Sequence, residues 1–526
     1  MTLPPRRPSP ARTAAMTFFL PSRLRVLPFR RIALAAGLVC AAALAPATMP
    51  AAGPSNPPSA VLPNPLTLDD AIRLALEHNQ LVKVSAFSPQ ISRANVLAAY
   101  GAFDPALTFR RSRSEAEAPG ALAPLVPRAL TKTDDYALSL DGLMPWGLTY
   151  SLGATANNTR TSLGSFAGNY VTFGGISVTQ PLLRGFGFGA TLANLRVAKA
   201  SRGISDWQHK QTVIDVVTNV IFAFNNLQQA RENLKIAILS RDGAAQLLAE
   251  NEKRRAVGAT SDAEVVQARA RVANREESIL FAQRSARDVE NQLRLLLGDA
   301  HLSVDGPALE TAELASAPDL AVDVAADLNK AYAQRPDYQA ARLGVAIDRA
   351  NSALAQNQLL PRLDVVGSYG YSGTSGDFRT ARDQVRDEDA RAYTIGMVVR
   401  VPLTFAEGRG RARAAKLTLR QGEADLVRRE QDIALAVTAA AGQIQTTRQR
   451  VAAAKAAYEL AQQALDNEQK RFKAGTSTTF FVLQQQEQLS AAQNAYSRAL
   501  ADQRRAIANY QRELGTTLEA HRITLE

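Results

Sequence analysis

Proline is absent from Leu182 to Gly306 and again from Leu403 to Glu526, and each run is interrupted near its middle by one glycine-centred segment. The first is Arg255-Ala256-Val257-Gly258-Ala259-Thr260-Ser261, and the second is Arg471-Phe472-Lys473-Ala474-Gly475-Thr476-Ser477-Thr478-Thr479. Ala-rich, proline-free sequence propagates helix, a glycine free to turn left-handed ends one, and Thr or Ser after it caps the next. Each run is therefore predicted to be a helical hairpin with its tip at Gly258 or Gly475. The tips stand at an offset of 217 positions (258 to 475), so the chain reads as a tandem duplication.

The duplication extends upstream. Leu66-Thr67-Leu68-Asp69-Asp70-Ala71-Ile72 opens a helix capped by Thr67 or Asp69, and Asp323-Val324-Ala325-Ala326 opens its counterpart, with Asn79 and Arg335 in the same register. A first repeat of 66–310 thus comprises a helix over 66–102, strands within 105–181 and a hairpin over 188–298. A second of 311–515 comprises a helix over 322–360, strands within 362–402 and a hairpin over 406–514, followed by a tail, 516–526. From Pro105 to Pro181 is 76 residues and from Pro361 to Pro402 is 41, so the first repeat carries 35 more. From Pro181 to Gly258 is 77 against 73 from Pro402 to Gly475, which predicts long helices differing by about a turn.

Between these prolines the apolar period becomes two, as in Leu363, Val365, Tyr369 and Tyr371, or Tyr393, Ile395, Met397 and Val399. Four strands are expected in the first repeat, the one around Leu107 and Phe109 being short and the last bulged at Gly174-Gly175. Two are expected in the second. Taken alone, such strands fit a soluble sandwich. Their connections (Ser114 to Thr133, Leu143 to Trp146, Asn158 to Gly168, Ser372 to Ala392) alternate long and short, as in outer-membrane barrels. Tyr136, Trp146, Tyr150, Tyr170, Tyr369, Tyr371 and Tyr393 are candidate interface aromatics. Six strands cannot close a barrel whose smallest natural form has about eight, so a membrane role requires oligomers.

Ala190 to Ala256 and Glu407 to Lys473 each predict a rod of roughly 100 Å at 1.5 Å per residue. The returning arms are about half as long, and the short upstream helices would complete those lines. Leu489, Tyr496, Gln503 and Tyr510 recur every seven residues, as in a coiled-coil seam. The fold class is therefore an α+β membrane protein in which duplicated long helical hairpins continue a transmembrane β-barrel.

Arginines, then the apolar run Ile32 to Ala45, then a Pro-rich linker at 46–65 read as a signal peptide over 1–45, with Met16 an alternative start. Cys40 is the single cysteine, and Val39 before it disfavours lipidation. Of the net charge of +12, residues 1–45 supply seven Arg and no acid, leaving +5 and no case for nucleic acid. His78, His209, His301 and His521 are scattered, Arg184-Gly185-Phe186-Gly187-Phe188-Gly189 lacks nucleotide-loop spacing, and no catalytic cluster, metal site or cofactor motif is found. The glycines of that segment suit a strand-to-helix joint.

Together the leader, the duplicated order and the tips resemble the TolC-like outer membrane efflux protein family over about 66 to 515. The carrying segments are Leu66 to Ile72, Gln180-Pro181-Leu182-Leu183, Val257-Gly258 through Glu264-Val265, and Ala474-Gly475-Thr476 through Val482-Leu483. The resemblance implies a homotrimer in the outer membrane of a Gram-negative bacterium, with a shared barrel and a periplasmic α-barrel tunnel holding most of the mass. It implies a conduit and not an enzyme, docking on a periplasmic adaptor and an inner-membrane pump for small-molecule efflux. Type I protein secretion uses the same architecture, and a purely structural periplasmic coiled coil is the alternative that the amphipathic strands disfavour.

By the same resemblance Gly258, Ala259, Thr260, Ser261, Gly475, Thr476 and Ser477 face the adaptor, and Glu264, Phe481 and Gln484 border the tunnel entrance. Family members carry carboxylates where Phe481 and Gln484 stand here, and a basic residue at Ser477. The expected entrance is then apolar and amide-lined, with Phe481 either a plug or a coiled-coil packing residue, and without a Glu264 salt bridge to position 477. Members usually place two strands per repeat, twelve per trimer; here eighteen are expected unless the hairpin 134–157 folds outside the barrel.

Overall fold

The computed structural model describes residues 65–119, 128–162, 165–258, 260–299, 308–312 and 320–524. The expected signal peptide, Cys40, nearly all of the linker, Ala259 and His301 lie outside the described residues. In chain order α1 (Leu68–His78) and α2 (Gln80–Tyr100) lead into strands β1 (Ala106–Pro119), β2 (Arg128–Leu143), β3 (Thr149–Thr161) and β4 (Tyr170–Pro181). The short α3 (Gly187–Thr191) and the rod α4 (Ala193–Ala256) then reach the first tip, and α5 (Asp262–Leu296) returns. The second repeat is α6 (Val324–Gln334), α7 (Pro336–Gln358), β5 (Arg362–Ser375), α8 (Phe378–Arg386), β6 (Ala390–Arg400), the rod α9 (Ala406–Lys473), α10 (Thr479–Leu514) and a last turn, α11 (Thr517–Ala520).

Each upstream helix is two helices, broken at the matched positions Asn79 and Arg335. Both residues are extended there, and both tie the break to the end of the returning arm. Asn79 Nδ2 donates to the Leu296 carbonyl at 2.8 Å, and Arg335 donates to the Glu513 carboxylate at 2.7 Å. The arms end on left-handed glycines, Gly298 and Gly515, both at φ +75°. A Cβ on Gly298 would stand 2.8 Å from His78, and one on Gly515 2.9 Å from the Gln334 carbonyl carbon. Only glycine lets the arm and the short helix abut. Along each rod, a short helix pair and a returning arm therefore stack end to end.

The rods contain 64 and 68 residues, roughly 96 and 102 Å at 1.5 Å per residue. They differ by one turn, and the second is the longer, although the first repeat has more residues between proline and tip. The surplus lies in the joint, where Gly185 and Gly187 turn left-handed and α3 precedes the rod. On α4 the buried residues Val213, Val217, Val220, Phe224 and Leu227 alternate by four and three, forming a seam against Leu74 and Leu293. Each large apolar side chain so buried contributes about 1.5–3 kcal/mol. A second core joins α6, α9 and α10 around Val437, Ile444 and Tyr510.

All six strands form one antiparallel sheet in the order β1-β2-β3-β4-β5-β6. The hairpin 134–157 is part of this sheet. Reading across it, one row is Leu107, Leu140, Leu152, Ile176, Tyr369 and Tyr393. On the opposite face a row reads Asp141, Ser151, Ser177, Ser368 and Thr394. The sheet has an apolar face and a polar one, and β1 and β6 are its free edges.

Three expectations are corrected. Pairing runs without interruption through Gly174 and Gly175, so there is no bulge. β1 is not short, and most of the expected Ser114–Thr133 loop is strand. Its distal half is held by Lys132 on Glu115 at 3.3 Å and by Arg113 and Arg160 on Asp134, charge pairs that apolar periodicity cannot register. The expected loop Ser372 to Ala392 contains α8, which rests on the apolar face of β4 and β5: Thr172 Oγ1 donates to the Ala381 carbonyl at 2.9 Å.

Candidate functional site: the paired hairpin tips

Helix α4 stops because Gly258 takes φ +75° and donates its N–H to the Arg255 carbonyl at 2.9 Å. Helix α9 stops in the same way at Gly475, φ +76°, whose N–H reaches Phe472 O at 3.1 Å while that of Thr476 reaches Arg471 O at 3.0 Å. Open space surrounds both glycines, so they are required for backbone shape alone. Ser261 then caps α5 by accepting from the Glu264 N–H at 3.4 Å. Thr478 occupies the equivalent position without a side-chain cap. Gly258, Ser261, Gly475 and Thr476 are exposed, and Thr260 and Ser477 half-buried.

The two tips are joined to each other. Thr479, first residue of α10 and 1% exposed, donates to Glu264 Oε2 at 3.2 Å and lies 3.1 Å from Asn251 Oδ1. A hydroxyl has one proton, and Asn251 Nδ2 is buried without a partner. Turning the Asn251 amide so that its NH2 faces Thr479 resolves both: the amide donates to the hydroxyl, and the hydroxyl donates to Glu264. Glu264 also accepts from Thr260. Beside this chain the Arg254 guanidinium lies 3.9 Å from the Phe472 ring centroid and donates to the Phe472 carbonyl at 2.8 Å. Further along, Arg271 holds Glu487 at 3.0 Å.

Glu264 therefore reaches the second tip through Thr479, while Ser477 turns to Glu468 on its own hairpin. On α10, Val482 and Leu483 are buried with Leu247, Leu465 and Phe472. Phe480, Phe481 and Gln484 occupy the other helix face and are exposed, Phe481 by 49%. Its ring meets Phe480 edge-on at 5.6 Å and is not part of the buried cluster. Asn251 belongs to this inter-tip contact, and apolar periodicity does not single it out. It continues the α4 seam after Ala244 and Leu247, and an amide at such a seam position is the available signal.

A duplicated pair of helical hairpins with linked tips, continuing into an open sheet with one apolar face, defines the fold of outer-membrane channel-tunnels. The profile of the outer membrane efflux protein family matches residues 133–299 and 328–516, and the chain belongs to that family. The family is one of transport channels, and its place is the outer membrane. The chain is similar to the pyoverdine export outer membrane protein OpmQ of Pseudomonas putida, 29% identical over 298 residues, which cover 54% of this chain and 58% of that protein. It is 24% identical over 352 residues to the outer membrane protein TolC of Vibrio cholerae, covering 66% of this chain and 77% of that one. The matched region thus spans less than two thirds of the Pseudomonas putida relative's length. Among solved structures, the outer-membrane channel OprN superposes with a TM-score of 0.63 at 18% identity, over 85% of this chain and 90% of that one.

Proposed function

We propose that three copies of this chain form an outer-membrane export conduit for small molecules, with an eighteen-stranded barrel continued by a helical tunnel. The observation that carries this reading is the sheet: six strands with two free edges, one face apolar from β1 to β6. An even strand number leaves β1 and β6 antiparallel to each other, so copies can pair edge to edge and close. Ile395 and Met397 on β6 are 80% and 65% exposed in the single chain, which suits lipid contact and not water. Barrels of this strand number enclose an aqueous channel.

The tips then face the periplasm as the tunnel entrance, where the exposed Phe481 and Gln484 narrow the aperture and Glu264 locks one hairpin to the other. The loops around Gly258 and Gly475 receive a periplasmic adaptor, which couples the conduit to an inner-membrane pump. Reconstituting the purified chain in planar bilayers tests the reading. Discrete conductance steps from a trimer are expected, and a monomer that never conducts overturns it.

A further inference from the structure

Where the sheet meets the helices, a cavity of about 530 Å³ opens on the polar face, bordered by Arg184, Arg362, Arg400, Asp364, Thr149 and Thr179. Arg362 and Arg400 are directly opposite each other on β5 and β6. Like charges so placed repel and cost stability. One carboxylate is present: Asp364, 2% exposed, accepts from Arg362 Nε. Arg184, on the glycine-rich joint, and Arg400 are exposed and make no ion pair among the described residues. Three guanidinium groups against one carboxylate leave two positive charges around a cavity large enough for a small solute.

The main chain anchors the joint from which Arg184 projects. Gly185 N–H donates to Asn357 Oδ1 at 2.7 Å, Gly187 N–H donates to Trp146 O at 3.0 Å, and the Leu182 N–H donates to Leu363 O at 2.7 Å. The joint that carries Arg184 is thereby pinned to α7, to the β2–β3 turn and to β5. Guanidinium groups held at fixed spacing bind oxyanions through paired N–H donors. Leu143, Leu354 and Leu360 also line the cavity, which suits an organic anion.

We propose that this cavity is an oxyanion-binding station at the junction of barrel and tunnel, taking carboxylate- or phosphate-bearing solutes in transit. The assignment of this face to the pore rests on the conduit reading; the binding itself does not. The row of the polar face just above the cavity is Asp141, Ser151, Ser177, Ser368 and Thr394, which carries no positive charge.

Equilibrium dialysis of radiolabelled citrate against the full-length, detergent-solubilised protein tests the site, with current block by citrate in bilayers as a second readout. Arg400→Gln and Arg184→Gln break no ion pair among the described residues, and each is expected to weaken citrate binding about tenfold. Arg400→Lys, which keeps the charge and loses the paired donors, is expected to bind at a level between those of the wild type and Arg400→Gln. Unlabelled pyrophosphate should displace the citrate from the wild type. Equal citrate binding by all variants, no binding by the wild type, or displacement by phosphatidylglycerol but not by pyrophosphate each overturns the proposal. If channels conduct but citrate does not bind, only this inference falls; if citrate binds to a protein that never conducts, the conduit reading falls instead.

Discussion

Thr479 and Glu264, one near the start of each returning helix, are 215 positions apart in sequence, and the hydroxyl of the first donates to the carboxylate of the second at 3.2 Å. Thr479→Val keeps the shape and removes the donor, leaving the Asn251 amide buried and unpaired. Losing a hydrogen bond to a charged group costs about 1.5–3 kcal/mol. If this bond holds the entrance closed, the variant channel opens more often. Single-channel recording should show a larger mean conductance for Thr479→Val and for Glu264→Ala, with little further gain in the double variant. Wild-type conductance in both would remove the pair from the gate.

Arg254 and Phe472 form a second tie between the tips, and its two components can be separated. The guanidinium donates to the Phe472 main-chain carbonyl and lies against its ring. Phe472→Leu keeps the first contact and removes the second. A cation over a partly desolvated aromatic contributes about 0.5–2 kcal/mol. In a double-mutant cycle with Arg254→Met, thermal unfolding of the tips should give a coupling energy of that order. A coupling near zero would show that Phe472 acts through packing with Leu247 and Leu483 alone.

Much of this architecture was legible because duplication lets the chain be compared with itself. The matched registers of Asn79 and Arg335, and of Gly258 and Gly475, pointed to equivalent places, and all four are helix ends. What escaped is equally specific. Helix α8 has only nine residues, and its apolar stripe, Phe378, Ala381 and Val385, spans two turns inside a segment rich in arginine and aspartate. The distal part of β1 is stabilised by Arg113 and Glu115, whose alternation is polar on polar. The Thr479–Glu264 bond depends on how two hairpins pack, and no spacing within either hairpin encodes it.

Tyr510 and Asp327 make a buried pair whose pH dependence has a definite sign. The phenol, 1% exposed, donates to Asp327 Oδ2 at 2.5 Å, and Lys330 donates to the same carboxylate at 2.9 Å. Burial pushes the Asp327 carboxyl upward, but the bonds from Tyr510 and Lys330 outweigh it and hold it below its ordinary value. Its stabilisation is thus complete above the ordinary carboxylate pKa of about 4 and lost as pH falls through the depressed folded value. Tyr510 is raised, first by burial and then by Asp327. Its contribution is complete below the ordinary phenol pKa of about 10 and lost as pH rises through the raised folded value. Tyr510→Phe should therefore cost about 1.5–3 kcal/mol near neutrality. Denaturant midpoints measured against pH should bring variant and wild type together at the acid extreme. A gap that stays constant there would rule out Asp327 as the partner.

Helix α8 is fastened by close approach, and this makes one glycine decisive. A Cβ on Gly373 would stand 2.1 Å from the Ala381 carbonyl oxygen, which is main chain and cannot swing aside. A Cβ on Gly174 would meet the tip of Val385 at 2.9 Å, where a side chain can move. Phe378 packs on Tyr170 at 5.8 Å, and Thr172 supplies the hydroxyl that holds Ala381. Gly373→Val must lift the helix from the sheet, at an overpacking cost of about 1–3 kcal/mol. Gly174→Ala should cost less, and Gly376→Ala, whose nearest neighbour is 3.5 Å away, should cost least. The readout is trypsin cleavage after Arg379, Arg382 or Arg386 in the assembled protein. Local opening by 1–3 kcal/mol raises the cleavage rate roughly 5- to 150-fold when opening is fast relative to cutting. The expected order is Gly373→Val well above Gly174→Ala, with Gly376→Ala at the wild-type rate; equal rates for all three would mean that α8 is not held by this contact.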